Sequence, residues 1–101
     1  MTLDKLYKLL VTLGLPTAYN HFKRPQEPPY LVYFFDGSGN FGADNKVYCK
    51  IDHLVIELYT LKKDLNIETR IEVLLEDNEL YYEKYEAYLD TEKMYQVRYE
   101  I

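Results

Sequence analysis

Two stretches with helical periodicity, each followed by runs with a period of two, set what this chain can build. In the first, Leu3, Leu6, Tyr7, Leu10 and Leu13 recur on one helical stripe. Thr2 is placed to cap it, Asp4 lies in the first turn where the helix dipole favours an anion, and Gly14 and Pro16 stop it. In the second, Lys62-Lys63-Asp64 leads into a helix running to about Asp77, with Asp64 or Asn66 as cap. Ile67, Ile71, Leu74 and Leu75 form its stripe. Each stripe is narrow enough to need one apolar partner surface, and a sheet of the same chain supplies it.

The remaining apolar runs supply that sheet. Ala18 to Phe22 reads as a short strand, followed by a stiff loop, Lys23-Arg24-Pro25-Gln26-Glu27-Pro28-Pro29. Tyr30 to Phe35 is a continuous run of aromatic and aliphatic residues, expected in a central position covered on both faces, by the helices on one and by a partner on the other. Asp36 to Asn45 reads as a glycine-rich hairpin connector, mobile or extended in the isolated protein. In Lys46 to Thr60 the alternation changes parity midway, which implies a bulge around Asp52-His53. Leu80 to Leu89 and Met94 to Ile101 alternate cleanly around a turn at Asp90 to Lys93. The order α-β-β-β-α-β-β, without repeat or linker, predicts one α+β domain over residues 1–101 with both helices on one face of a mostly antiparallel sheet.

Composition narrows the function classes. At 101 residues the chain has room for one core, and Cys49 has no second cysteine with which to staple it. Met1-Thr2-Leu3-Asp4-Lys5 lacks the features of a signal peptide, and Tyr30 to Phe35 is far shorter than the roughly 20 apolar residues of a membrane span. A soluble protein made inside a cell, with no membrane contact, is the expectation. Residues 1–50 carry a net charge of +2 and residues 51–101 a net −7. Lys23-Arg24 and Lys62-Lys63 are isolated pairs rather than a basic stripe, so direct nucleic-acid binding is not expected. Twelve tyrosines without a tryptophan suit half-buried strand faces and contact surfaces alike.

Candidate chemistry is thin. Gly37-Ser38-Gly39-Asn40-Phe41-Gly42 has the spacing of a dinucleotide fingerprint, but it leads into a strand rather than the helix whose amides would hold a pyrophosphate. Phe41 within it is either a plug returning to the core or a contact for a partner subunit. His21, His53 and Cys49 show no metal-ligand spacing. On one strand Cys49 and His53 would lie about 13 Å apart at ~3.3 Å per residue, too far for a thiolate–imidazole pair. Glu79, Glu83, Glu86 and Asp90 read as a solvated strand face rather than a glycosidase pair. No enzyme, metal or cofactor is expected.

Several pieces taken together resemble a known class. Leu13-Gly14-Leu15-Pro16-Thr17-Ala18-Tyr19, Pro28-Pro29-Tyr30 and Phe41-Gly42-Ala43-Asp44-Asn45-Lys46-Val47-Tyr48 are similar to small structural proteins from the morphogenesis clusters of long-tailed phages and prophages of Gram-positive bacteria. Ile56 to Asp64 and Glu92 to Ile101 fit the same pattern, so the resemblance spans residues 13–101. It implies a tail-terminator or tail-completion protein that assembles as a ring, usually of six subunits, between the tail tube and the head connector. Head-completion proteins of the same joint, and a monomeric binding module or regulator, are the alternatives. The expected partners are therefore further copies of the chain, the tail-tube protein and head-connector proteins. The expected location is the host cytoplasm during assembly, then the virion. The resemblance transfers no catalytic residue. The expected interface comprises Lys23 and Arg24 in the proline loop and the connector residues Asp36, Gly37, Ser38, Gly39, Asn40, Phe41 and Gly42. The connector is expected to order against a neighbour, and the unequal charge of the two halves favours head-to-tail packing.

Overall fold

The computed structural model describes residues 1–43 and 46–101, with side chains described for 1–37 and 53–101. Helix α1 spans Leu3–Leu10 and tightens into a 3₁₀ turn at Val11–Leu13. The Thr2 hydroxyl accepts from the Lys5 N–H at 3.2 Å, and Gly14 ends the turn at φ +79°, a left-handed conformation suited to glycine. Strand β1 is Thr17–Tyr19, β2 is Tyr30–Ala43, β3 is Lys46–Thr60, β4 is Glu83–Leu89 and β5 is Met94–Glu100. Helix α2, Leu65–Asp77, lies between β3 and β4 in sequence and is capped by the Asp64 carboxylate, which accepts from the Ile67 N–H at 3.1 Å.

The five strands form one sheet in the order β1-β2-β3-β5-β4. All neighbouring pairs are antiparallel except β1 with β2. The fold is α+β. Leu6, Leu10 and Leu13 from the first helical segment and Ile71 and Leu75 from α2 meet Leu31, Tyr33, Leu54, Ile56, Leu58, Val97 and Tyr99 in a single core. These positions alternate along β2, β3 and β5, so both helices cover the same sheet face. Burying each such aliphatic side chain contributes about 1.5–3 kcal/mol, enough for a core without a disulfide.

Several expectations need correction. The segment from Asp36 is extended, as one of its two expected forms has it, but as regular strand rather than as a connector: β2 runs through it to Ala43, paired with β3, while Asp44 and Asn45 lie outside the described residues. The apolar alternation sits on the partner run Lys46 to Ile51, and its main-chain groups recruit a glycine-rich segment that has no strand pattern of its own. The bulge lies where expected along the ladder, but its extra residue is on the other strand. Asp36 and Gly37 of β2 oppose the single residue His53, between the pairs Phe35–Leu54 and Ser38–Asp52. Gly37 at φ +102° supplies the conformation this requires.

The first strand is shorter than Ala18 to Phe22. It ends at Tyr19, where Asn20 takes φ +65°. Phe22 leaves the ladder and sets its ring edge-on to Tyr30, centroids 5.3 Å apart. The strand at Leu80 starts only at Glu83, because Leu80 and Tyr82 pack onto the core as a lead-in. β2 takes the expected interior position, paired with β1 on one side and β3 on the other; the helices cover one of its faces, and among the described residues no helix covers the second.

Beyond its pairing with β5, which covers Val55 to Thr60, β3 continues with β2 alone from Asp52 outward. The β2–β3 hairpin therefore projects from the body as a two-stranded arm. The molecule measures 49 × 31 × 24 Å, with a radius of gyration of 14.9 Å against about 13 Å for a compact domain of this size.

Candidate interaction surfaces

The sheet face opposite the helices carries the first surface. Tyr30 and Tyr59 are directly paired across β2 and β3, and their rings stack at 5.0 Å with 22° between planes. The Tyr59 hydroxyl donates to Glu57 Oε1 at 2.8 Å and accepts from Gln96 Nε2 at 2.8 Å. Burial, above all, together with the Glu57 carboxylate pushes the Tyr59 phenol up to about 12, so it stays protonated and able to donate. The loop after β1 rises beside this stack and closes a groove of about 540 Å³. Lys23 and Arg24 line it, facing Tyr30, Tyr59, Leu89 and Glu92. The basic pair singled out in the sequence thus stands against an aromatic floor supplied by β2 and β3.

Arg98 organises the neighbouring part of the same face. Its guanidinium donates to Asp36 Oδ2 at 2.6 Å, to Glu100 Oε2 at 2.8 Å and to Glu57 Oε2 at 3.4 Å, and it sits 5.9 Å from the Phe34 ring centroid. Asp36, the first residue of the expected connector, is therefore tied to β5 at the root of the arm. With Val32 and Val55 buried beneath these groups, the chain covers the middle of this face itself.

The arm is the second surface. Gly37 lies at its base, and Ser38, Gly39, Asn40, Phe41 and Gly42 follow on β2 in register with Asp52, Ile51, Lys50, Cys49 and Val47. Their side chains, and with them the two readings of Phe41, fall outside the described residues. Tyr30, which floors the groove, and Ser38, where the arm begins, are eight residues apart on one strand, about 26 Å at ~3.3 Å per residue. The expected interface residues thus form two separate surfaces at opposite ends of β2. The Tyr30–Tyr59 stack and Arg98 escaped the sequence reading, because each depends on strand register rather than on spacing along the chain.

A charged cluster lies on the helix side. Glu68 on α2 is only 2% exposed and accepts from Lys63 at 2.7 Å and from Lys84 on β4 at 2.8 Å. Lys84 also meets Glu72 at 2.8 Å, Lys63 meets Glu86, and the Tyr99 hydroxyl donates to Glu72 at 2.7 Å. Burial works against both ammonium groups, but their carboxylate partners outweigh it and raise them above the ordinary lysine value. Burial likewise opposes the Glu72 carboxylate, yet its bonds from Lys84 and Tyr99 hold it below the ordinary range. These shifts fix charge in place, whereas a lysine acting as base or nucleophile needs its value lowered toward neutrality. The arrangement holds α2 onto β4 and β5.

Among the described residues no group of three or more His, Cys, Asp or Glu side chains is placed to hold a metal ion, and no helix is long and apolar enough to cross a membrane. No family model, curated protein or solved structure matches this chain.

Proposed function

We propose that the protein is a structural component of a phage head–tail joint, a tail-terminator or tail-completion protein that works as a ring of identical subunits and has no catalytic role. The observation that carries this reading is the projecting β2–β3 arm. An isolated two-stranded hairpin is at best marginally stable in water, so an arm of this kind gains its stability by lying against another protein. The Lys23–Arg24 groove at the other end of β2 gives the subunit a second, chemically different surface. Two unlike surfaces are what a head-to-tail ring requires, since every copy then satisfies both. The sequence resemblance over residues 13–101 supports the phage assignment.

The test is co-expression with the major tail protein of the same gene cluster, followed by electron microscopy of the tubes. The reading expects capped tubes of uniform length carrying this protein at one end only. Tubes of unchanged length with no bound protein would reject it. Binding to the head connector instead would place the protein on the other side of the joint.

A further inference from the structure

Another depression lies on the helix side of the sheet, at its β1 edge. Tyr19 on β1 and Tyr33 on β2 are register partners, and their rings meet edge to face at 5.4 Å and 82°. Tyr7 on α1 adds a third ring, 6.0 Å from Tyr33 and tilted by 38°. Together with Leu3 and Asp4 these rings line a depression of about 400 Å³. Tyr33 is buried at its base, whereas Tyr7 and Tyr19 keep 42% and 45% of their surface exposed. Among the described residues, the only formal charge in the lining is the Asp4 carboxylate, which reaches Lys8 at 3.3 Å along the helix surface. Of the amides at the start of this helix, Lys5 N–H donates to the Thr2 hydroxyl and Leu6 N–H to the Thr2 carbonyl.

Aromatic faces carry negative potential, and a cation over several of them is attracted to each. Three tyrosines from three elements and one carboxylate, itself paired with Lys8, line this depression. We propose that this depression binds a single organic cation, an alkylammonium or guanidinium head group, with Tyr7, Tyr19 and Tyr33 as the cage and Asp4 as the counter-charge. Burial first, and then Tyr7, Tyr19 and Asp4, raise the Tyr33 phenol, which agrees with a site that disfavours added negative charge. The same head group could arrive on a free small molecule or on a basic side chain of a second copy, such as Arg24. The inference does not depend on the phage reading.

The experiment titrates the full chain with choline and with its neutral isostere 3,3-dimethyl-1-butanol, following the tyrosine ring resonances by NMR. Choline should bind in about the millimolar range and at least about fivefold tighter than the alcohol. Tyr7→Leu and Tyr19→Leu, both at half-exposed positions, should each weaken it about two- to fivefold, and Asp4→Asn should weaken it as well. A second arm uses N-acetyl-arginine amide. Tighter binding than choline, with loss of self-association, assigns the head group to a neighbouring subunit; weaker binding without such loss assigns it to a free ligand. Equal binding of choline and dimethylbutanol, or unchanged affinity in both tyrosine variants, overturns the proposal.

Discussion

Replacing Glu68 by Gln should cost the fold about 1–2 kcal/mol, a figure that follows from what the carboxylate holds. Removing one member of a fully buried ion pair typically costs about 3–5 kcal/mol, because the remaining charge is stranded. Here Glu68 is 2% exposed, but the Lys63 and Lys84 side chains keep 36% and 34% of their surface in water. Each lysine also retains a second carboxylate, Glu86 or Glu72. Neither ammonium is stranded, which lowers the expected loss to the smaller range. Glutamine keeps the shape, yet presents an amide donor to one of two ammonium donors. In a domain of this size the loss should lower Tm by about 5–15 °C. The assay is thermal unfolding of the full chain, Glu68→Gln, Lys84→Met and the double variant. Coupling between the two sites should be about 0.5–1.5 kcal/mol. A change in Tm under about 2 °C with no coupling would show that the cluster does not clamp α2 to β4.

Three further outcomes follow from the same packing. Leu75→Ala, at a fully buried position, should cost ~2–5 kcal/mol by denaturant unfolding, and Leu74→Ala, only partly buried against the core, should cost clearly less. Gly37→Ala should cost ~1–2 kcal/mol although a methyl group there meets no atom within 4 Å, since the penalty lies in φ +102° rather than in space. Because the Glu72 carboxyl lies below its unfolded value, its contribution is complete above that unfolded value and is lost as pH falls through the lower folded one. Acid unfolding of Glu72→Gln should accordingly show a shallower loss of stability below about pH 4.5 than the parent chain.

The helices were legible because their signals are local. Thr2, Asp64 and Gly14 act within four residues of themselves, and the structure places all three as caps. The alternation in Met94 to Ile101 likewise put Val97 and Tyr99 inward, where both are fully buried. The regular strand pairing of the arm was not legible, although a hairpin connector, mobile or extended, was expected there. Asp36 to Ala43 has almost no side-chain pattern, and its strand character comes from main-chain pairing with a segment that follows it in sequence. The parallel pairing of β1 with β2 was hidden for a related reason, as three residues carry too little periodicity to fix a direction. Of the expected interface, Lys23 and Arg24 do line a groove, but its aromatic floor is assembled from Tyr30 and Tyr59, 29 positions apart. Arg98 reaches Asp36 across an even longer separation. Periodicity reads a surface along one element and is blind to what register places beside it.

The central claim is that the arm builds an assembly of identical subunits. Sedimentation velocity from micromolar to near-millimolar concentration tests it most directly, comparing the full chain with a variant whose residues 38–52 are replaced by an Asn-Gly turn. Residues 55–60 keep their pairing with β5 in that variant, so the body should fold. The account predicts one closed oligomer of fixed mass for the full chain and a monomer for the variant. A monomer at every concentration for both, or the same oligomer for both, would contradict it.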